Sequence, residues 1–281
     1  MPGKLMKAVQ YNAYGGGRDG LQHVDRVPVP TPKKDEVLLK VEAASLNPLN
    51  WRLQAGMLRP FLPRKFPHIP ALDVAGDVKE VGSGVQKFKV GDRVVAKIRP
   101  LSRGGGGLAE FAVTKEGLTV ARPPQVSAAE VVGLPVAGLT AHQALTEGAG
   151  IKLEGSCTGE KAANVLITAA SGGVGHYAVQ LAKLGNAHVT VTCGADEVLD
   201  YKNPDGAALR SPSGRKYDVV IHCATGIPWS TFEPNLSPSG EEGKLTAIDS
   251  KYPLAKARDA WAKSIDGHAT GKIIVEPWNN R

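Results

Sequence analysis

The chain has 281 residues, 42% of them apolar and 22% charged, enough for two hydrophobic cores. No apolar run approaches the ~18–20 residues of a bilayer-spanning helix. Three scattered cysteines, Cys157, Cys193 and Cys223, with no C-x-x-C pair, argue against a disulfide framework or a cysteine-pair zinc site.

The formal charge of +7 invites anionic partners, but its residues are spread along the chain, as in a mildly basic enzyme. The opening MPGKLMKAVQYNAYGGG reads as strand and turn, without the apolar stretch of a cleavable signal. Residues 5–125 read as short strands between Gly/Pro turns. In DEVLLKVEAASLNP, Val37, Leu39 and Val41 follow the period of two of a half-buried strand. DVAGDVKEVGSGVQKFKVGDRVVAK adds strands with turns at Gly82-Ser83-Gly84 and Gly91-Asp92, and LAEFAVT closes the series. Many short strands with frequent turns predict a compact, barrel-like β domain over 1–125.

From Ser127, which has the character of a helix N-cap, helical spacing replaces alternation. NVLITAA predicts a strand at 164–170, GVGHYAVQLAKLG a helix ending at Gly185, AHVTVTC a second strand, and YDVVIHCA a further one at 217–224. Strand–helix–strand alternation over 126–244 predicts a parallel α/β sheet. DAWAKSIDGHATGKIIVEP supplies a helix and a final strand, and 245–281 is expected to complete the first domain.

The spacing Ala170-x-Gly172-x-x-Gly175 is the dinucleotide fingerprint with alanine in the first glycine's place, set between a strand and a helix as the motif requires. The small residue permits the tight turn, Gly172 admits a pyrophosphate to the backbone, and Gly175 lets the helix approach the sheet. Amides at the helix N-terminus then face the phosphates. Ala170, Ser171, Gly172, Gly173, Val174 and Gly175 are therefore the expected cofactor loop, with a purely structural turn as the alternative. Val174, Ala178, Leu181 and Ala182 fall on one helical face to be buried against the sheet. The second strand ends at Cys193 and Gly194, without the acidic residue that reads the ribose of NAD, which favours NADPH. Asp196, near the usual offset, is the competing candidate, but ADEVLDY reads as the approach to the next strand.

SLNPLNW, IPALDVAGDVKEVGSGVQKFKVGDRV, LAEFAVT, LPVAGLTAHQAL, ITAASGGVGHYAVQLAK and GKIIVEP resemble the zinc-independent quinone oxidoreductases of the medium-chain dehydrogenase/reductase superfamily. LRPFLPRKFPHIPALDVAG and KSIDGHATGKIIVEP look most similar to its plant members of the chloroplast envelope. The resemblance implies a GroES-like β-barrel domain joined to a Rossmann-type domain, with the active site in the cleft between them. It implies hydride transfer from NADPH to a quinone or to the β-carbon of an α,β-unsaturated carbonyl, a homodimer, and a peripheral place at the inner chloroplast envelope.

In the aligned stretches Asn47 stands where zinc-dependent relatives carry a cysteine ligand and Leu72 where they carry a histidine. A leucine cannot coordinate zinc, so no metal is expected; the seven histidines show no ligand spacing. Such substrates bring their own electron sink, so the site need only bring the carbon to the nicotinamide and hydrogen-bond the developing enolate oxygen. Asn47, Trp51 and Thr140 are the candidates lining that cleft. Asn47 orients the nicotinamide or donates to the carbonyl, or else caps the turn before Pro48. Trp51 is an apolar wall or plain core packing. Asn50 replaces an aspartate common in relatives. Tyr201 matches a position near the adenosine 2′-phosphate, and reads equally as a strand-end tyrosine.

Two connections are short for this family. Between Cys193 and Val198 stand only Gly194, Ala195, Asp196 and Glu197, where a parallel crossover needs roughly a dozen residues, so a helix is missing there. NLSPSGEEGKLTAIDS joins the region after the fourth strand almost directly to the final strand, and the chain is roughly fifty residues shorter than two-domain relatives. Either segments are absent from the sequence in hand, or this is a short form that has lost its later strands, with a monomeric state and impaired NADPH binding as the consequences. That second case suggests a catalytically silent binding or peripheral membrane protein. Arg59, Arg64 and Lys65 beside Phe61 and Phe66 would then rest on an anionic surface; the same segment also reads as a lid over the substrate cleft. Nothing resembles a nucleic-acid module.

Overall fold

The structure, a computed structural model, describes residues 3–57, 59, 66–100, 105–153, 162–191, 195–224, 227–243, 250–266 and 273–276. The chain divides into two compact units, Met1–Val136 with Ser250–Arg281, and Ala137–Asp249. The division falls later than 125/126 because the first helix after Ser127 belongs to the first unit.

That unit begins with β1 (Leu5–Gln10) and β2 (Gln22–Pro28), an antiparallel pair. β3 (Glu36–Leu46) is followed by α1 (Pro48–Gln54), β4 (Asp73–Val81), β5 (Arg93–Lys97), β6 (Phe111–Lys115) and β7 (Thr119–Ala121). β3, β4, β5 and β7 lie side by side and antiparallel, and β6 pairs with the first half of β3. The β-rich domain expected from turn frequency is borne out. Alternation gives the sheet two different faces. Ala44, Leu46, Val74, Val78, Val94 and Ala96 enter the main core. Ala43, Ala75 and Val95 face the other way and are covered by Ala128, Ala129 and Val131 of α2 (Ala128–Val131). Ser127 is the N-cap of α2: the Glu130 main-chain N–H donates to its hydroxyl, and the Glu130 carboxylate accepts from the Ser127 N–H at 2.8 Å.

The boundary between the units lies within α3 (Leu134–Gln143). The second unit continues through β8 (Asn164–Ile167), β9 (Gly173–Val174), α4 (Gly175–Leu184), β10 (His188–Val191), β11 (Glu197–Val198), α5 (Pro204–Ala207), β12 (Tyr217–Ile221), α6 (Trp229–Phe232) and β13 (Leu236–Gly243). Its five-stranded sheet has the order β11-β10-β8-β12-β13 and is parallel throughout. β8 is buried at all four positions, as a central parallel strand must be. It ends three residues earlier than predicted because Ala169 takes a φ of +48°, which breaks the extended chain. β12 likewise stops at Ile221. α4 ends at its Gly185 C-cap and buries Ala178 and Ala182, with Val174 and Leu181 partly covered, which is the predicted apolar face.

β10 and β11 pair in parallel, Thr190 with Glu197 and Val191 with Val198, and their connection has no room for a crossover helix. What pins so short a strand is Glu197. Its carboxylate accepts from the Ser211 hydroxyl at 2.6 Å and from the Ser213 hydroxyl, and pairs with His188 Nε2 at 3.0 Å. Burial opposes ionisation of Glu197, but the hydrogen bonds from Ser211, Ser213 and His188 outweigh it and bring its pKa from 4.5 down to about 2. No helix among the described residues is long and apolar enough to cross a membrane.

The chain then returns to the first unit as β14 (Ser250–Pro253), α7 (Ala257–Asp266) and β15 (Ile273–Glu276). β15 runs antiparallel to the second half of β3, Ile273 opposite Leu46 and Val275 opposite Ala44, and β14 lies parallel outside it. α7 buries Ala257, Ala260 and Trp261 in the main core. The Trp261 indole N–H donates to Gln54 Oε1 at 2.9 Å, and Gln54 Nε2 donates to the Gly17 carbonyl at 2.7 Å.

Two outcomes follow from these contacts. Trp261→Ala should lower the unfolding free energy by about 3–5 kcal/mol, and Gln54→Leu, which strands the indole N–H, by about 1–3 kcal/mol, both read from urea denaturation. Because the Glu197 pKa is depressed in the fold, its contribution is complete above the unfolded value near 4.5 and fades as pH falls toward 2. Glu197→Gln should therefore be less stable than the native chain at pH 7, with the difference shrinking between pH 4.5 and 2 in thermal melts.

Candidate functional site

In the first unit the candidate residues gather where β3 runs into α1. Asn47 is the N-cap of α1, and Pro48 occupies the first helical position, where its missing N–H costs no bond. The Asn47 main-chain N–H donates to Asn50 Oδ1 at 2.6 Å, work that an aspartate oxygen does equally well. The Asn47 side chain also takes part in the capping box of α1, and its Nδ2 donates to Asp73 Oδ2 at 2.8 Å. Asp73 opens β4, is fully buried, and through Oδ1 accepts from the Val136 main-chain N–H at 3.0 Å. Ser45 sits opposite Asp73 across the β3–β4 pair, its hydroxyl buried and without a hydrogen-bond partner. Trp51 is half-buried against the main core; its Nε1 is buried without a partner, and the Arg52 guanidinium lies over its ring, 5.5 Å from the centroid. Leu72, beside Asp73, is buried and offers no lone pair.

In the second unit the loop 168–174 leaves the carboxyl end of β8. The Gly172 N–H closes a turn on the Ala169 carbonyl at 2.8 Å. A Cβ on Gly172 would lie 2.9 Å from that carbonyl oxygen. One on Gly175 would lie 2.3 Å from Ala170 Cα and 2.5 Å from Ala169 O, so only glycine lets α4 start this close to the strand. Val174, the N-cap of α4, gives its first turn no side-chain cap, and Ser171 is exposed. Ala170 is buried, and residues 170–175 lead from β8 through β9 into the first residue of α4. Next to it, the Thr168 hydroxyl accepts from the Cys223 N–H at 2.9 Å and lies 3.0 Å from His222 Nδ1, tying the carboxyl ends of β8 and β12 together.

Asp196 is engaged at the opposite end of the sheet. Its carboxylate is bound by Lys183 Nζ at 2.8 and 2.9 Å and accepts from the Val189 N–H, near the start of β10 rather than its carboxyl end. The Lys183 hydrogen bond, against a smaller desolvation cost, holds its pKa below the ordinary carboxylate value. Tyr201 is 65% exposed just after β11, and Thr140 is half-buried in α3; Cys193 lies outside the described residues.

Of the basic aromatic segment, Phe61, Arg64 and Lys65 also lie outside the described residues. Phe66 packs on Tyr11 and Tyr14, with ring centroids 5.9 and 5.0 Å apart, and the Arg59 guanidinium sits 4.5 Å from the Tyr14 centroid. His68 closes this aromatic group against Tyr11, and burial drives its pKa down to about 4, leaving it neutral. Among the described residues no three His, Cys, Asp or Glu side chains come together as a metal-holding group.

Sequence reasoning missed Asp73 and the Thr168–His222 link. Asp73 had a visible signal, a single acid inside the apolar run IPALDVAG; the second rests on two strands meeting and left no local trace.

The chain matches the family model described as alcohol dehydrogenase GroES-like domain over residues 33–183, and that described as zinc-binding dehydrogenase over 235–275. It is 61% identical to the chloroplast envelope quinone oxidoreductase homolog of Arabidopsis thaliana over 335 residues, covering 99% of this chain and 100% of that one. The alignment is longer than the 281 residues here, so the relative carries segments without a counterpart in this chain. To the chloroplastic NADPH-dependent alkenal/one oxidoreductase of the same plant the identity is 30%, over 98% of this chain and 80% of that one. The solved quinone oxidoreductase of Coxiella burnetii shares 25% identity with a TM-score of 0.78, covering 97% of this chain and 99% of that one. An antiparallel β unit, a parallel sheet with a fingerprint loop, and full-length relatives of this kind together establish that the chain belongs to the medium-chain dehydrogenase/reductase superfamily.

Proposed function

We propose that the chain is an NADPH-dependent oxidoreductase that passes hydride to quinones or to the activated double bond of α,β-unsaturated carbonyls without a metal. The observation that carries this reading is the cradle at Gly172–Gly175, where a Cβ at either end would meet backbone and where the first turn of α4 lacks a side-chain cap. Such a turn fits a diphosphate: the amides supply donors, the helix dipole favours negative charge, and the missing side chains admit the ligand to the backbone. When bound, NADPH supplies the hydride.

The chain's own groups bind and orient. Backbone at 170–175 holds the diphosphate. Asn47 orients the reacting ring, and Trp51 is an apolar wall that keeps water from it; Thr140 is the third contact. Preference for the phosphorylated cofactor is supported by Asp196, the carboxylate that would have read a ribose diol, being committed to Lys183 at the other sheet end. Tyr201, exposed after β11, is the proposed neighbour of the 2′-phosphate together with Cys193. Metal independence is supported by the donor set: an amide nitrogen turned onto a carboxylate at Asn47, and a leucine at 72. A quinone or enone supplies its own electron sink, so hydrogen bonding and proximity suffice.

A chloroplast location is supported by the names of the relatives. The alternative of a silent peripheral membrane protein is less well supported, because Phe66 is packed on Tyr11 and Tyr14 and the exposed Arg59 lies over the Tyr14 ring. Homodimer and monomer remain separable by light scattering.

Titrating the folded protein with NADPH while following its fluorescence should give saturable binding, with NADH at least about tenfold weaker; absence of saturation overturns the reading. Gly175→Ala should weaken NADPH binding by about tenfold or more, since its Cβ forces strand and helix apart. Quinone reduction should survive dialysis against EDTA, and a loss restored by zinc would overturn the metal-free mechanism.

A further inference from the structure

We infer that Ser213 is a phosphorylation site for an arginine-directed protein kinase, and that a phosphoryl group there unlatches β11 from the sheet. The inference stands on the second unit alone; only its last consequence, for NADPH, rests on the proposed function.

The connection between α5 and β12 reads LRSPSGRK over 209–216. Its two serines differ in access. Ser211 is 8% exposed and shut in. Ser213 is exposed, on a turn that the Gly214 N–H closes on the Ser211 carbonyl at 2.9 Å. Arg210 stands three residues before Ser213, and Arg215 and Lys216 follow it. A kinase whose cleft is lined by carboxylates recognises such an acceptor through its arginine. The pair that Arg210 makes with Asp205 at 3.0 Å joins two exposed side chains, so it is readily given up.

Ser213 is not set up as a nucleophile of its own. Its hydroxyl donates to Glu197 Oε1, the Ser211 hydroxyl donates to Oε2 at 2.6 Å, and His188 Nε2 meets the same carboxylate at 3.0 Å. The imidazole lies on the acid rather than on a hydroxyl, so it does not take the serine's proton. The chemistry is left to an external enzyme. Ser213 Oγ forms a bond to the γ-phosphorus of ATP while the bond from that phosphorus to its β,γ-bridging oxygen breaks. ADP leaves, and the hydroxyl proton passes to the kinase's own base.

The product reverses the sign of one contact. β11 is two residues long, and the side chain of the acid that fixes it, Glu197, is only 9% exposed. A phosphoserine has no proton to donate to Glu197 and sets about two negative charges beside it. Arg215, whose Nε lies 3.9 Å from Glu197 Oε1, is half-exposed and makes a stronger, forked pair by turning to the phosphoryl oxygens. Glu197 then keeps Ser211 and His188, loses Ser213 and Arg215, and faces an anion. Repulsion and lost donors act together against a strand otherwise held only by its short ladder to Thr190 and Val191. The Leu199 N–H donates to the Val191 carbonyl at 2.7 Å, so its exchange with solvent reports whether β11 is seated. On the proposed function Tyr201, three residues beyond Val198, neighbours the 2′-phosphate, so unlatching β11 weakens NADPH binding.

The test treats the folded full-length chain with ATP, Mg²⁺ and a protein kinase that requires an arginine three residues before its acceptor. Mass spectrometry of the digested product is expected to place phosphate on Ser213 and not on Ser211. Amide exchange at Leu199, read by NMR, should be about tenfold or more faster in the phosphorylated chain than in the unmodified one. In Ser213→Ala, which loses the donor without gaining charge, it should rise by only about threefold. In Glu197→Gln the phosphate should change this rate by less than about threefold, because the repelled charge is gone; a larger change overturns the role of Glu197. If the kinase modifies its standard peptide substrate but leaves Ser213 bare, or if phosphate reaches Ser213 and Leu199 exchanges as before, the inference is overturned. The native chain decides both points should Glu197→Gln not fold. NADPH affinity, followed by fluorescence, should fall about threefold or more on phosphorylation. Unchanged affinity with faster exchange overturns the link to the cofactor and supports the unlatching alone. An unmodified chain that melts cooperatively yet binds no NADPH overturns the functional reading instead, while exchange at Leu199 still decides the inference.

Discussion

The second unit depends on one close approach. At Gly175 the first residue of α4 stands against the backbone of Ala169 and Ala170, at a distance that leaves no place for a Cβ. That contact sets how closely the helix packs on β8, so that Ala178 and Ala182, small residues at one helical face, are enough to fill the space between helix and sheet. It also sets where the helix amides point, because the loop that closes on Gly172 has no length to spare. Packing and, under the proposed function, capture of a diphosphate are therefore the same requirement at this turn. A larger residue at 175 would loosen the core and misdirect the donors together.

Two acids do for the rest of the molecule what the glycine does for the loop. Asp73 is fully buried and gives one oxygen to Asn47 and the other to the start of α3. Glu197 gathers Ser211, Ser213 and His188 around a two-residue strand that has no helix leading into it. In each case the cost of taking charge from water is met by donors from separate stretches of chain, and a local pattern is thereby converted into a fixed tertiary arrangement.

That conversion explains what could be read from residues alone. The Ser127 cap, the Gly185 stop and the stripe Val174, Ala178, Leu181 and Ala182 are local signals and were legible as such. The alternation of β3 was legible too, and so was the fingerprint, because its spacing is itself the physical requirement. The ends of β8 and β12 were overestimated: apolar residues continue past Ile167 and Ile221, but a positive φ at Ala169 and the Thr168 link to His222 and Cys223 stop the ladder. The boundary between the units was placed early because a change from strand to helix period does not reveal that α2 packs back on Ala43, Ala75 and Val95. Gln54, Asp73 and Glu197 act across long sequence separations, and the partner that gives each its meaning is invisible in its own neighbourhood.

The position of β15 has a consequence for how the protein is made. One side of β3 is shared in tandem, its first half by β6 and its second half by β15, and β15 follows the entire second unit in the chain. During synthesis the Ala44–Leu46 half of that side must wait, unpaired, while everything between Ala137 and Asp249 leaves the ribosome. The later unit can close on itself first, and the earlier one is sealed last, with Trp261 arriving as its keystone. A truncation of the final thirty or so residues would thus injure the oldest part of the nascent polypeptide and spare the newest.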